Sequence, residues 1–228
     1  MKFNKLGMVI AAGGSGSRFS KTVNKLLVEY QGKPLIVHAL ATFLPVLLPG
    51  NLVVAAAASE LEKMRSAVDS FLPGNSVNWV TGGATRLASV ANAAAALPED
   101  LELIAIHDAA RPLASVKLLE ELCLNAAIYG GAIPGSTPVN TVKAVDENGI
   151  ITQNLVRSNL AEVATPQVFD CRKYRRALSE LSADLLDGST ESLLITDDAA
   201  LFTLAGGQVK VVFSSEPNFK VTLPGDIE

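Results

Sequence analysis

Apolar residues recur along this chain in two rhythms, and the alternation between them lays out a fold. Near-continuous apolar runs over Leu6 to Ala12, Asn51 to Ala57, Val77 to Val80 and Leu101 to Ile106 predict strands buried on both faces. Between them the spacing predicts helices from Pro34 through Leu35, Ile36, Ala39, Leu40 and Phe43, from Glu60 to Phe71, and from Thr85 to Leu97. Pro34 suits a first helical turn, and Pro45 and Pro49 end that helix. Such alternation predicts an α/β class fold, with a mostly parallel sheet covered by helices on both faces. The rhythm changes near Gly130. Ala132 to Ile133 and Thr141 to Val145 read as strands, and Asp146-Glu147-Asn148-Gly149 reads as a hairpin turn before Ile150-Ile151. Residues 137–160 are therefore expected to form a β-hairpin arm protruding from a single domain, 1–228. The chain then returns through Val163 to Phe169. A helix from Arg172 to Leu186, a polar insertion near Asp187 to Glu191, a helix from Asp197 to Leu204, and strands Gln208 to Phe213 and Phe219 to Leu223 complete the reading.

Bulk properties narrow the class. With 228 residues, 49% of them hydrophobic, the chain can bury the core of one domain. A net charge of -4 provides no general basic surface, which argues against nucleic acid as a partner and makes any anion site local. The most apolar tract, Ala39 to Ala58, is cut by Pro45, Pro49 and Gly50, so no membrane span is expected. Met1 to Lys5 lacks the apolar region and small-residue cleavage site of a secretory signal. Cys123 and Cys171 have no metal-like spacing and read as reduced thiols of a cytosolic protein. With only His38 and His107, a multi-histidine metal centre is excluded.

Three stretches follow strands and are expected to converge at the carboxyl edge of the sheet, where ligands of such folds gather. The first is VIAAGGSGSRFSKTVNK, Val9 to Lys25. Gly13, Gly14, Ser15 and Gly16 let backbone N–H groups approach an anion closely, and Arg18, Lys21 and Lys25 supply cations. It is neither a dinucleotide fingerprint, since the sixth position from Gly14 is Phe19, nor a Walker A loop, since Gly16 is followed by Ser17 and Arg18. The bland reading is an ordinary strand-to-helix turn with cations in solvent. The second stretch, Thr81 to Val90, places Gly82-Gly83 before Arg86 and Ser89, which share a helical face. Its bland reading is a turn and an Ala-rich helix. In the third, Ile106 to Pro112, Asp108 can hold Mg²⁺ on phosphate oxygens while Arg111 organises the loop; equally, Asp108 can cap a turn and pair with Arg111. His107 is expected to pack rather than to catalyse. Asp197 and Asp198 read as the opening of a helix. Lys220, within FKVTL, reads as a solvent-facing lysine.

Taken together and in order, AAGGSGSRF with Lys25, GGATRLASV, IHDAARP, PVNTVK, Arg157, ATPQVF, TDDA and FKVTLP resemble the cytidylyltransferase family that makes 4-diphosphocytidyl-2-C-methylerythritol for isoprenoid synthesis. The resemblance implies a Rossmann-like nucleotidyltransferase, Mg²⁺-dependent, that joins CTP to 2-C-methylerythritol 4-phosphate with loss of pyrophosphate. It also implies a homodimer in which the arm of one subunit completes the site of the other. By family matching, Arg18, Lys25 and Lys220 are catalytic. Ala12, Gly13, Gly14, Ser15, Gly16, Gly82, Gly83, Ala84, Arg86 and Ser89 bind the nucleotide. Asp108, Arg111, Thr141 and Arg157 serve the acceptor, and Asp108 the metal. The implied location is the cytoplasm, or the plastid stroma after loss of a transit peptide. Three positions depart from the pattern. Asn24 stands where proline usually precedes the lysine, implying a looser approach to it. Ala84 stands where an acidic residue often follows the glycine pair, and Asn140 where aspartate precedes the arm threonine. The rivals are a ribitol 5-phosphate cytidylyltransferase, an enzyme using sugar 1-phosphates, and a catalytically silent nucleotide-binding module.

Overall fold

A computed structural model describes residues 3–13, 19, 24–189 and 194–227. Its first strand, β1 (Leu6–Ala12), shows why the apolar runs are continuous. Leu6, Met8, Ile10 and Ala12 enter one buried cluster while Val9 enters the other, so both faces of the strand are covered. A short hairpin that the apolar pattern does not announce follows, β2 (Glu29–Tyr30) against β3 (Lys33–Pro34). It turns through Gln31 and Gly32, both at positive φ. Helix α1 (Leu35–Phe43) starts at Pro34, which sits at the N-cap rather than inside the first turn.

The next elements fall close to the periodicity. They are β4 (Leu52–Ala56), α2 (Leu61–Phe71), β5 (Asn78–Thr81), α3 (Arg86–Ala95) and β6 (Leu103–Asp108). Strands β5, β4, β1 and β6 lie side by side in that order, all parallel. Helix α4 (Val116–Tyr129) occupies a segment for which no element was expected. The Ser115 side chain accepts from Leu118 N–H at its start, and Gly130 at φ 94° ends it.

Strand β7 (Gly131–Ser136) leads to the arm, a two-stranded antiparallel sheet of β8 (Lys143–Val145) and β9 (Ile151–Asn154) that is separate from the main sheet. Its turn is organised by one side chain. Asp146 Oδ1 accepts from Asn148 and Ile150 N–H, and Gly149 takes φ 80°. The return strands β10 (Glu162–Val163) and β11 (Gln167–Asp170) run antiparallel, β10 to β7 and β11 to both β7 and β6.

The expected helix from Arg172 to Leu186 is two, α5 (Cys171–Ser179) and α6 (Ala183–Asp187), broken where Ser182 takes extended backbone. Helix α7 (Asp198–Leu204) and strand β12 (Val209–Phe213), parallel to β7, complete the sheet. Phe219 to Leu223 is not a strand. It is tied by Val221 N–H to Ala110 C=O and joins no strand ladder.

Residues of α1, α2 and α4 pack into the cluster on one face of the sheet, and those of α3, α5 and α7 into the other. Cys123 and Cys171 are buried free thiols; burial pushes Cys123 up to about 12 and raises Cys171 as well. Among the described residues no helix is long and apolar enough to cross a membrane.

Candidate active site

Strands β1, β5 and β6 release their chains at the same edge, and the residues just beyond them enclose a cavity of about 340 Å³. The N-terminus of α3 opens into it, presenting the positive end of the helix dipole to any anion there. Two side chains build that opening. Thr85 caps the helix by accepting from Ala88 N–H at 3.0 Å. The buried Ser89 hydroxyl accepts from Gly83 N–H at 3.1 Å and donates to Thr85 C=O at 2.9 Å. Ser89 therefore braces the loop against the helix. Only glycine fits beside it, because a Cβ on Gly82 would stand 2.7 Å from Ser89 Oγ and one on Gly83 2.4 Å from Ala88 Cβ.

Cations arrive from three separate segments: Arg86 at the start of α3, Lys25 after the first loop, and Lys220 in the C-terminal segment. Lys25 Nζ donates to Val221 C=O at 2.9 Å, and so ties the turn that begins at Lys25 to that C-terminal segment. Just before it, Asn24 has φ −69°, the value proline would impose, and its side chain accepts from Leu26 N–H. Asn24 thus takes a proline-like φ and adds a side-chain cap on the turn that carries Lys25.

Asp108, at the end of β6, is the hub. Its Oδ2 accepts from Lys220 Nζ at 2.7 Å, and its Oδ1 lies 3.3 Å from both Nε and Nη2 of Arg86. Burial alone would raise its pKa; Arg86 and Lys220 outweigh burial and hold the carboxyl well below the usual carboxylate range. Lys220 is thus an ion-pair partner facing the cavity, where an outward, solvated lysine was the bland expectation. Arg111 Nη1 donates to Asn218 C=O at 2.7 Å, and its Nε lies 3.9 Å from Asp108 Oδ2. Only 13% of its side chain is exposed, so it anchors the C-terminal segment from beneath.

His107 packs, as expected. The ring is fully buried, edge-on to Phe43. Thr165 Oγ1 accepts from Asp108 N–H and lies 3.1 Å from His107 Nδ1, while His107 Nε2 lies 3.2 Å from Arg111 C=O. A carbonyl can only accept, which assigns the proton to Nε2 and leaves Nδ1 to accept from the threonine hydroxyl. Burial lowers the ring's pKa to about 4.

Asp197 and Asp198 have different fates. Asp197 is the helix cap, accepting from Ala200 N–H at 2.8 Å. Asp198 is fully buried, beside Arg86 Nη1 and Tyr174. Tyr174, Thr165 and Asn218 were not singled out in the sequence; all three are bonded to site residues through contacts between distant segments.

Ala12, Gly13, Gly83, Ala84, Arg86 and Ser89 line the cavity with the cations, whereas Thr141 and Arg157 sit in and beside the arm and do not. Arg157 Nη1 donates to Val139 C=O at 2.8 Å, within the arm's own base. Gly14, Ser15, Gly16, Arg18 and Lys21 lie outside the described residues. Among the described residues no three His, Cys, Asp or Glu side chains form a metal-binding group. A single ionised carboxylate at the cavity fits a divalent ion that takes its remaining ligands from phosphate and water.

The family profile described as 2-C-methyl-D-erythritol 4-phosphate cytidylyltransferase matches residues 6–228. A protein of that description from Parasynechococcus marenigrum is 37% identical over 222 residues, covering 96% of this chain and 93% of the relative. Another, from Acidobacterium capsulatum, is 33% identical over 230 residues, covering 97% and 93%. Among solved structures, the 2-C-methyl-D-erythritol 4-phosphate cytidylyltransferase of Thermus thermophilus superposes with a TM-score of 0.75 at 26% identity, covering 100% of this chain and 96% of the other.

Proposed function

The chain belongs to the 2-C-methyl-D-erythritol 4-phosphate cytidylyltransferase family, and from that premise we propose that it transfers the cytidylyl group of CTP to 2-C-methyl-D-erythritol 4-phosphate. A phosphate oxygen of the acceptor attacks the α-phosphorus of CTP. The new P–O bond forms as the bond to the β-phosphate oxygen breaks, giving 4-diphosphocytidyl-2-C-methyl-D-erythritol and pyrophosphate. The observation that carries this reading is the single cavity where Lys25, Arg86 and Lys220 meet glycine backbone at a helix N-terminus.

Two anions must approach and charge must spread over the phosphoryl oxygens, so positioning and fixed positive charge are the levers the protein has. Lys25 stabilises charge on the α-phosphate and, with Arg18, on the leaving pyrophosphate. Lys220 reaches the phosphates from the opposite segment. The braced Gly82–Gly83 loop and Ala84 receive the base and ribose. Asp108 is the residue that would hold Mg²⁺, which when bound neutralises triphosphate charge. Thr141 and Arg157 hold the acceptor phosphate from the arm of a second subunit, in a homodimer. The two buried free thiols support a reducing compartment, the cytoplasm.

The test crosses the four nucleoside triphosphates with methylerythritol and ribitol phosphates in a pyrophosphate-release assay, with Lys25→Ala as control. Release with CTP and methylerythritol phosphate, reduced at least 100-fold in the control, is expected from loss of a transition-state cation. Preference for ribitol phosphate, or near-normal turnover of Lys25→Ala, would overturn the assignment.

A further inference from the structure

Asp198 has no exposed surface, and a carboxylate so placed is costly unless it is paired and hydrogen-bonded. It is not needed to cap α7, because Asp197 already does so. Its two oxygens point to a different task. Oδ2 lies 2.8 Å from Nη1 of Arg86, and Oδ1 accepts from the Tyr174 hydroxyl at 2.6 Å. Tyr174 is itself fully buried and stacked on Phe169, with ring centroids 5.1 Å apart, so the hydroxyl cannot swing away.

Arg86 is a rigid planar fork with two usable edges. Nη1 makes an ion-pair contact with Asp198, and the edge carrying Nε and Nη2 donates to Asp108 Oδ1. Lys220 holds the remaining oxygen of Asp108. Opposite charges therefore alternate through four groups, Asp198, Arg86, Asp108 and Lys220, from the packed core out to the cavity. Asp198 does not itself line the cavity, yet through Arg86 it is what the Asp108 end of the chain is braced against.

We propose that Asp198, locked by Tyr174, is a positioning residue that holds Arg86 by its Nη1 edge and thereby sets where Asp108 and Lys220 stand around the triphosphate. The identity of that ligand rests on the function proposed above; the bracing itself does not. Without the Asp198 charge, the guanidinium has one fixed edge in place of two and can turn away from Asp108. Lys220 then loses its registered partner.

Asp198→Asn keeps the shape and an acceptor for Tyr174 but removes the charge. It is expected to lower kcat/KM for CTP by about 10- to 100-fold, the cost of displacing a phosphate-contacting group by roughly 1 Å. Tyr174→Phe, which removes one hydroxyl, is expected to act in the same direction and less. Because Asp198 works through Arg86, adding Asp198→Asn to Arg86→Gln should cost less than about twofold more. Wild-type kcat/KM in both Asp198→Asn and Tyr174→Phe, or a full multiplicative loss in the double variant, would overturn the proposal. Should Asp198→Asn fail to fold, Tyr174→Phe and its combination with Arg86→Gln decide the matter alone. A readout free of turnover is the ¹⁵N-labelled arginine Nε–H signal of Arg86, assigned by its loss in Arg86→Gln. It is expected sharp at neutral pH in the wild type and broadened by solvent exchange in Asp198→Asn and Tyr174→Phe. An unchanged signal overturns the bracing, whereas a wild-type protein inactive with CTP counts against the proposed function instead.

Discussion

At the scale of single residues, His107 shows how neighbours convert a reactive side chain into a structural one. Both ring nitrogens are engaged, by Thr165 and by the Arg111 carbonyl, and burial holds its pKa near 4 against 6.5 for the free group. Between those values the unfolded chain takes up a proton that the folded one refuses. Stability is therefore expected to fall as pH drops from 6.5 toward 4, by on the order of 3 kcal/mol, and this contribution levels off below pH 4. Urea unfolding at pH 7 and about pH 4.5 should show a larger loss in the wild type than in His107→Gln; equal losses would remove His107 as the source. Other residues were legible only in part. Asp197 and Asp198 are identical neighbours at a helix start, and nothing local says which one caps and which one is swallowed by the core. That choice depends on Arg86 and Tyr174, which stand on other helices and meet Asp198 only through packing.

At the scale of elements, α3 links the core to the cavity and is fastened at both ends. Thr85 and Ser89 fix its N-terminus, while Arg175 of α5 donates to the carbonyls of Ala94, Leu97, Pro98 and Glu99 at its C-terminal side. Arg175→Ala leaves those carbonyls without their charged donor, and a loss of about 1–3 kcal/mol in chemical denaturation is expected. CTP affinity in the folded variant should stay within about threefold of wild type, because Thr85 and Ser89 hold the other end of a helix roughly 15 Å long. No measurable loss of stability would show that the cap is dispensable. The caps of α4, Ser115 and Gly130, are signals that the sequence does carry, so that helix was readable from its ends. The break between α5 and α6 was not, because LSELSADLL continues a helical pattern across it. Phe219 to Leu223 has strand-like composition, yet a strand exists only where a neighbouring edge pairs with it, and here the contact is one backbone bond to Ala110.

At the scale of the whole molecule, the arm carries apolar surface that the rest of the chain leaves exposed. Val139, Val145, Ile150, Ile151 and Val156 are all more than half exposed on or beside it. Apolar surface gathered on a projecting hairpin is what an interface between copies would cover. If each site combines its own Lys25 with Arg157 of the second subunit, Lys25→Ala and Arg157→Ala are each nearly inactive alone. Mixed and allowed to exchange subunits, they should recover about a quarter of wild-type turnover, because half of the dimers then carry one intact site of two. No recovery despite proven exchange would place both residues in the same chain's site or deny Arg157 a role.

The sequence by itself determined the α/β alternation, the arm, the glycine loops and which segments follow strands, since periodicity, turn residues and backbone freedom are local properties. Tertiary structure alone decided which charges meet. Lys25 and Lys220 lie far apart along the chain, yet Val221 joins one to the segment carrying the other, and Asp108 gathers Arg86 and Lys220 only because β6 ends beside the start of α3. Electrostatic coupling depends on distance through space and on burial, and neither quantity is written in the order of residues.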